Sequence, residues 1–298
     1  MKIILVITDT KRKNLVFVSD NLKALSLKEA VDATGNGNIE GAYRVEGKTG
    51  AYIRTKQSVP KKDELEYLSI TGPDLVRYFQ GNYAVSTPAI SDYTKRYFAS
   101  LEEGRAYIQP IGHPKFLRVL TADVKEKLLA HRDIIKRVAA KFSIDQNLLG
   151  ALLVDEITRL LPFEDVLESL GAQIIGRNVS VGVAQVRIET ANDLIKKGVY
   201  NPSPHDKKLP FKRMTNADRS YLFTYLIQTE HNISFAAAFV RYIIDFWVPH
   251  ADLSNRADIV GTLYHQGYGR PKANPKADER GAQIADDFYP LAKRWLSA

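Results

Sequence analysis

The sequence predicts an α+β protein in which a small β-rich domain precedes a mainly α-helical domain. Runs rich in β-branched and aromatic residues, separated by Gly, Asn and Asp, fill the first part of the chain. Farther along, apolar residues recur at spacings of three and four, as on the buried face of a helix. We therefore predict a first domain over residues 1–80, a connecting region over 81–115 and a second domain over 116–298.

The first domain is predicted to contain strands around one short helix. The predicted strands are Lys2–Thr8, Asn14–Ser19, Ala42–Glu46 and Ala51–Thr55, with Leu65–Ile70 as a further candidate. Ser26 and Glu29 form a capping box, which predicts a helix that stops before Gly35. The pattern resembles a small uncharacterised bacterial α+β domain, and that resemblance implies no chemistry.

The connecting region is marked by prolines at 88, 110 and 114, with helical patterns around Leu75–Gln80 and Ile90–Glu103. We place the domain boundary near residue 115, and a boundary as early as residue 85 also fits the pattern. Thr121 is then the predicted cap of the first helix of the second domain, which runs to Phe142.

The next helix carries the candidate catalytic residue. Ser143 and Gln146 form a predicted capping box, and Pro162 ends the helix at Leu161. The apolar residues of its wide buried face are Leu148, Leu149, Leu152, Leu153, Ile157, Leu160 and Leu161. Glu156 falls on that face, whereas Asp155 is predicted at its margin.

A carboxyl group on an apolar face is costly to ionise, so burial raises its pKa. A raised pKa suits a general acid that works near neutral pH, which makes Glu156 the candidate catalytic residue. The alternative is structural: Glu156 pairs with a basic residue such as Arg159, or reaches solvent.

A second motif follows about two dozen residues later, and it contains Ser180-x-Gly182-x-x-Gln185-x-x-x-x-Thr190-Ala191. A glycine allows close approach of the backbone to a sugar, and a glutamine offers both a donor and an acceptor. An ordinary turn followed by a polar helix position would explain the same two residues.

This motif resembles the Ser-x-Gly-Leu-Met-Gln-Ile-x-Pro-x-Thr-Ala signature of the lytic transglycosylases in the lysozyme-like superfamily. In that family the signature follows a helix with a single catalytic glutamate. His231-Asn232-Ile233 is similar to the family's Asn-Ile step into a long helix, and Val260–Gly267 is similar to its Ala-x-x-Tyr-Asn-x-Gly motif. The four pieces occur in the family's order and cover about residues 130 to 290.

The sequence departs from the family pattern at several positions. Ile157 replaces the serine after the glutamate, Val183 and Ala184 replace Leu-Met, Ile188 replaces the proline, and His265 replaces the asparagine. These departures concern the subfamily and the details of the substrate more than the glutamate.

The resemblance implies a lysozyme-like fold and cleavage of peptidoglycan. It implies that Glu156 protonates the glycosidic oxygen and then deprotonates the muramic 6-hydroxyl, which gives a 1,6-anhydro product. Ser180, Gly182, Gln185, Tyr264 and His265 would bind the sugar, with Tyr264 positioning Glu156. Hydrolysis would need a second carboxylate. The candidates for it are Asp155, Glu164, Asp165 and Glu168.

Composition narrows the remaining functional classes. The 298 residues include no cysteine, which excludes disulfides and cysteine-ligated metals. No His-Glu-x-x-His motif or phosphate-binding glycine loop is present, so we expect neither a metal nor a cofactor. The paired spacing of a zinc site is also lacking among His205, His231, His250 and His265.

The net charge of +8 and the pI of about 9.4 favour an anionic partner. Residues 191–220 contain seven Lys or Arg and three Asp, a net of +4. This segment would attract an anionic polymer, or it is an ordinary solvated loop.

We expect synthesis in the cytoplasm without a signal peptide or membrane span, and action on the periplasm or cell wall after delivery by another route. The expected partner is peptidoglycan. As an antibacterial effector toxin or a phage protein, the chain would also meet a secretion apparatus or virion component through its first domain, and an immunity protein. Two alternatives remain open: a non-catalytic peptidoglycan-binding scaffold, and a nucleic-acid binder, which the charge alone supports.

Overall fold

The structure, a computed structural model, describes residues 1–48, 50–79, 83–101, 104–113, 118–161 and 180–297. These residues divide into two compact units, the first ending at Arg105 and the second starting at Ala106. The first unit is rich in β-strands and the second is largely helical. The predicted α+β class, with the β-rich part first, is confirmed.

The first unit is built on a four-stranded sheet with strand order β3-β2-β1-β6. Its strands are β1 (Ile3–Thr8), β2 (Asn14–Ser19), β3 (Ala24–Ser26) and β6 (Ser69–Thr71), and a separate antiparallel ribbon contains β4 (Ala42–Gly47) and β5 (Gly50–Thr55). The central strand β1 pairs antiparallel with β2 and parallel with β6. Of the candidate strand Leu65–Ile70, only the last two residues are in β6.

Apolar clusters cover both faces of this sheet. Successive side chains of β1 point in opposite directions, so they enter different clusters. Leu5 and Ile7 belong to one apolar cluster and Val6 to another. The helices of the unit are α1 (Leu27–Gly35), α2 (Gly72–Phe79) and α3 (Pro88–Ala99). The first cluster includes residues of α2 and α3, and the second includes residues of α1 and of the β4–β5 ribbon.

Helix α1 begins with the predicted capping box. Ser26 Oγ accepts a hydrogen bond from the Glu29 amide at 3.3 Å, and Glu29 Oε2 accepts one from the Ser26 amide at 2.7 Å. The helix ends at Gly35, one residue beyond the predicted end. Local sequence chemistry therefore accounts for this element.

The described part of the second unit contains nine α-helices, one π-helical turn and two short strand pairs. The helices are α4 (Thr121–Ala130), α5 (Arg132–Lys141), α6 (Gln146–Leu160), α7 (Ile188–Lys196), α8 (Asn216–Leu226), α9 (Thr229–Trp247), α10 (Ala257–Gln266), α11 (Glu279–Gln283) and α12 (Tyr289–Ser297). The π-helical turn is Ile284–Phe288, and the strand pairs are β7 (Tyr107–Ile108) with β8 (Val119–Leu120), and β9 (Ser180–Val181) with β10 (Val186–Arg187).

Helix α6 is the central element of this unit. It packs against α4, α5, α9, the π-helical turn and α12, and every residue from Leu148 to Thr158 is buried. Gly150 allows close approach of α12, since a Cβ there would lie 2.8 Å from Leu296 Cδ1 and 3.1 Å from Ala292 Cβ. A polar side chain in this part of α6 must therefore find its partners inside the protein.

The starts of two predicted helices are wrong. Thr121 is the first residue of α4 rather than its cap, and the single helix predicted to reach Phe142 is divided in two at His131. Asp145 rather than Ser143 caps α6, through a 2.8 Å hydrogen bond from the Asn147 amide.

The reason for the second error is that Ser143 terminates α5. It has a φ of +50°, and its amide bonds to Ala140 O while that of Ile144 bonds to Ala139 O. These two bonds form a C-terminal helix motif of the Schellman type. Ser143 is therefore occupied in closing α5 and does not start α6.

The longest described helix is α9, with 19 residues. Within the described ranges, no helix has the length and apolar character needed to cross a membrane.

Candidate active site

Glu156 lies on α6 and is 8% exposed. Its Oε1 accepts a 2.6 Å hydrogen bond from Arg280 Nη2, and no described residue donates a hydrogen bond to its Oε2. Burial raises the pKa of Glu156 to about 7; Arg280 opposes that rise and the neighbouring Asp155 adds to it. The carboxyl group therefore keeps its proton to a higher pH than an ordinary glutamate does.

The spacing predicted Asp155 at the margin of the apolar face, and this prediction is wrong, because the residue is only 1% exposed. Its Oδ1 accepts a 3.0 Å hydrogen bond from Arg159 Nε, and its Oδ2 accepts one of 2.8 Å from Arg280 Nε. Burial disfavours its charge, but the two guanidinium groups together outweigh burial and hold the pKa of Asp155 below its usual value. The pKa values of two adjacent carboxyl groups are thus shifted in opposite directions.

Arg280 is presented by the short helix α11, which packs closely against α10. A Cβ at Gly281 would overlap Thr262 Oγ1, so only glycine fits at this approach. The Asp278 side chain caps α11 by accepting a 2.8 Å hydrogen bond from the Gly281 amide. The close contact and the cap together fix the direction in which Arg280 leaves the helix.

Asp278 also contacts three side chains of α10. Its Oδ1 lies 3.0 Å from Thr262 Oγ1, and its Oδ2 accepts a 2.7 Å hydrogen bond from Gln266 Nε2. His265 Nε2 lies 2.8 Å from the same Oδ2. Burial lowers the pKa of His265, and the charge of Arg280 lowers it further. The structure thus places His265, a predicted sugar-binding residue, beside the cap that supports Arg280.

Gln283 connects α11 to the segment that follows β7. Its Oε1 accepts a 2.8 Å hydrogen bond from the Ile111 amide, and its Nε2 donates one of 3.0 Å to Gln109 O. The same segment carries His113. Burial lowers the pKa of His113 to about 3, with a further contribution from Arg159. A neutral imidazole therefore lies near the charged groups around Asp155.

The second motif forms a hairpin in which β9 and β10 pair. Gly182 has a φ of +69°, and a Cβ there would lie 2.5 Å from Asn232 Cγ. The buried Asn232 holds the hairpin, since its Oδ1 accepts from the Ala184 amide at 2.8 Å and its Nδ2 donates to Val181 O at 2.7 Å. Glycine is required at 182 by both the backbone angle and this contact.

Gln185 closes the same turn. It has a φ of +47°, and its Nε2 donates a 2.7 Å hydrogen bond to Gly182 O. Ser180 stands opposite Arg187 in the strand pair. The three predicted residues of this motif therefore lie together on one hairpin.

Tyr264 on α10 connects the hairpin with the carboxyl groups. Its hydroxyl donates a 2.7 Å hydrogen bond to Ala184 O. Burial raises the pKa of Tyr264 well above its usual value, and the negative charges of Glu156 and Asp155 raise it further. The phenol stays protonated and joins the hairpin to α10.

Four contributors to the site were not predicted as site residues: Arg280, Asp278, Asn232 and Gln283. Asn232 had a signal, since it belongs to the Asn-Ile step noted in the sequence, but its two hydrogen bonds to the hairpin were not predicted. The other three had no local signal. Arg280 is 124 residues from Glu156 along the chain.

Across the described ranges, no group of three His, Asp or Glu side chains is arranged to hold a metal ion. The alternative second carboxylates Glu164, Asp165 and Glu168 lie outside the described residues, as does Pro162. The helix end predicted at Leu161 agrees with the structure, in which α6 ends at Leu160 and Leu161 is its C-cap.

No protein-family model, curated protein or solved structure matches the chain. The resemblance to lytic transglycosylases therefore rests on the motifs named above.

Proposed function

We propose that the chain is a peptidoglycan-cleaving muramidase of the lytic transglycosylase type, acting on the β-1,4 bond between N-acetylmuramic acid and N-acetylglucosamine. The observation that carries the proposal is the pairing of Glu156, whose pKa is about 7, with an adjacent aspartate that stays ionised. Environments that push two carboxyl pKa values apart are typical of acid–base sites.

In the first step, Glu156 donates its proton to the glycosidic oxygen. The bond from C1 to that oxygen breaks, the leaving oxygen keeps the electron pair, and the substrate's N-acetyl oxygen supplies a pair to C1. Oε2 suits this transfer, because Arg280 bonds to Oε1 and no described residue donates to Oε2.

In the second step, the Glu156 carboxylate takes the proton of the muramic 6-hydroxyl. The oxygen at position 6 then bonds to C1, the N-acetyl oxygen leaves, and the 1,6-anhydro ring closes without water. Arg280 stabilises the carboxylate between the two steps. Gly182 and Gln185 would contact the sugar from the hairpin that Tyr264 and Asn232 hold.

Transglycosylation is favoured over hydrolysis by the state of Asp155. Both of its oxygens accept hydrogen bonds from guanidinium groups, which leaves it poorly suited to act as a nucleophile or to activate water.

A second candidate is a non-catalytic peptidoglycan-binding scaffold. The 2.6 Å hydrogen bond between Arg280 Nη2 and Glu156 Oε1 favours it, since a guanidinium at this distance stabilises the ionised carboxylate. Such a protein would bind glycan strands without cleaving them.

In biological terms, we infer an antibacterial effector or a phage protein that reaches the periplasm by another route. The first unit would dock on a secretion apparatus or a virion component, and an immunity protein would protect the producing cell. Toxicity that depends on directing the protein to the periplasm would support this role, and equal toxicity in the cytoplasm would contradict it.

The decisive experiment is mass spectrometry of the fragments released from purified peptidoglycan. Glu156→Gln removes the proton donor and should lower the cleavage rate by about 10²–10⁴-fold. Glu126→Gln, an exposed change on α4, should cleave like the wild type.

The fragments also distinguish the mechanisms. Anhydro-muropeptides from the wild type are the expected product, and reducing-end muropeptides would indicate a hydrolase. Binding without any fragments would favour the scaffold.

A further inference from the structure

The loop between α7 and α8, residues 197–215, is anchored to the second unit by side chains. Asn192 donates to Phe211 O at 2.9 Å through Nδ2 and accepts from the Phe211 amide at 2.9 Å through Oδ1. The hydroxyls of Tyr221 and Tyr225 donate to Asp206 Oδ2 at 2.7 Å and 3.0 Å. The loop is therefore held in place rather than tethered only at its ends.

Five exposed cations on and beside this loop form what we call the basic loop surface: Lys196, Lys207, Lys208, Lys212 and Arg213. None of them makes an ion pair with a described residue. The two other cations of residues 191–220 do form ion pairs. Lys197 pairs with Asp193 at 2.6 Å, and Arg219 pairs with Glu189 at 2.6 Å.

The acidic residues of the segment are engaged elsewhere. Asp193 holds Lys197, and Asp218 forms the capping box of α8 with Thr215. Asp206 accepts from two tyrosines through Oδ2 and from the Lys208 amide through Oδ1. The charge of Asp206 also acts on Lys208, whereas Lys196, Lys207, Lys212 and Arg213 make no ion pair with a described residue.

These cations are connected through contacts. Lys196 Nζ donates a 3.1 Å hydrogen bond to Lys212 O, which joins the end of α7 to the far part of the loop. Lys208 Nζ lies 4.6 Å from the centre of the Tyr221 ring, whose own centre is 6.0 Å from that of Phe211. Phe211 precedes Lys212, so these contacts link Lys196, Lys208 and Lys212.

The basic loop surface is close to the candidate active site along the chain. Helix α7 begins at Ile188, directly after β10 of the hairpin, and reaches Lys196 after a rise of about 12 Å. Both features lie in the second unit. One polymer strand is therefore long enough to contact the hairpin and the surface together.

We propose that the basic loop surface binds the carboxylate groups of the peptidoglycan polymer and retains the strand at the site; this rests on the proposed function. Each exposed cation contributes little alone, but a polymer with repeated charges engages several at once. The Tyr221 ring packs edge to face against both Phe211 and Tyr225, so the surface offers charge more than stacking platforms for nucleobases.

The test measures binding without cleavage. In a Glu156→Gln background, protein is pelleted with insoluble peptidoglycan over a range of salt concentrations. The variant combines Lys207→Glu, Lys212→Glu and Arg213→Glu, and the control carries the same charge change at Lys11, Lys13 and Lys125, which are exposed elsewhere.

We expect the loop variant to bind at least about tenfold more weakly at low salt, with a smaller salt dependence, because several charge contacts are lost. The control should bind within about twofold of its parent. Converting the carboxyl groups of the peptidoglycan to amides should lower the binding affinity of the parent to that of the loop variant.

Equal pelleting of the loop variant and the control, or undiminished binding to amidated peptidoglycan, would overturn the proposal. So would a loop variant that loses affinity for duplex DNA while keeping affinity for peptidoglycan. Matching circular dichroism spectra and melting temperatures establish that the variants are folded.

The two proposals fail in different ways. Carboxylate-dependent binding with no fragments from the wild type would refute the proposed function alone. Cleavage by the wild type, with normal binding by the loop variant, would refute the basic loop surface alone.

Discussion

The interiors of the two units differ in the polar groups that they bury. Among the described residues of the first unit, the buried polar side chains all carry hydroxyl groups: Thr8, Ser19, Thr34 and Thr94. The second unit also buries acids and amides: Asp155, Glu156, Asn192, Asn232 and Gln283. Burying such groups is costly unless they are paired, so their concentration in one unit indicates where a specific arrangement is needed.

The range of the polar contacts differs as well. In the first unit, the buried Thr34 hydroxyl donates to Ala30 O, one turn away on the same helix. In the second unit, Asn232 reaches the hairpin 48 residues away and Arg280 reaches Asp155, 125 residues away. The comparison suggests that the first unit depends on apolar packing and the second also on a few long-range polar contacts.

The largest expected effect on stability comes from Asp155→Asn. The change leaves Arg159 and Arg280 without their shared anion in a buried place, which should destabilise the second unit by about 3–5 kcal/mol. Urea unfolding measures this loss of stability, and Asp286→Asn, a change at an exposed residue, is the control. A cost no greater than that of the control would mean that the buried ion network contributes little to the difference between the units.

The dependence of stability on pH gives a smaller effect. The folded-state pKa of Glu156 is about 7, above its ordinary value of 4.5. Its stabilising contribution is therefore fully present below pH 4.5 and is lost as the pH rises through about 7, at up to about 1.4 kcal/mol per pH unit.

Urea unfolding from pH 4.5 to 8 measures this effect. The free energy of unfolding of the wild type minus that of Glu156→Gln should fall over this range, because His113, whose lowered pKa gives a rise in stability with pH, titrates in both proteins. Glu126→Gln, which keeps Glu156, should show the same fall relative to Glu156→Gln. Parallel curves for the wild type and Glu156→Gln would contradict a raised pKa of Glu156 in the folded protein.

The smallest effect is expected in the first unit. Ser26→Ala removes the hydroxyl that caps α1 and should lower the stability of this unit by about 1 kcal/mol. Cleavage of peptidoglycan should stay unchanged, because the candidate active site lies entirely in the second unit. Thermal unfolding and the fragment assay measure the two quantities, and a parallel fall in cleavage would contradict the separation of roles.

What could be predicted from the sequence is what depends on near neighbours. The span Asn14–Ser19 is the observed strand β2, and the capping box at Ser26 starts α1. The placement of Glu156 on a buried helix face followed from spacing alone. Strand alternation, capping and helical periodicity each involve residues within a few positions of one another.

What could not be predicted depends on partners distant in the chain. Periodicity indicates that Glu156 is buried, but it does not identify Arg280 as the partner. The suggested partner Arg159 bonds to Asp155 instead, four residues before it, a spacing at which side chains meet on a helix. The cap of α6 was missed because Ser143 suits two roles, and the end of α5 determines which one it takes.

The short helix α11 has a consequence for tolerance to mutation. Within the six residues Asp278–Gln283, Asp278 caps the helix and Arg280 contacts both carboxylates. Position 281 admits only glycine, and Gln283 binds the segment after β7. A single inserted residue would rotate the following contacts by about 100° around the helix axis. In a library of insertions and deletions, this segment should appear as a continuous block without functional variants, whereas the exposed turn around Lys11 should accept added residues.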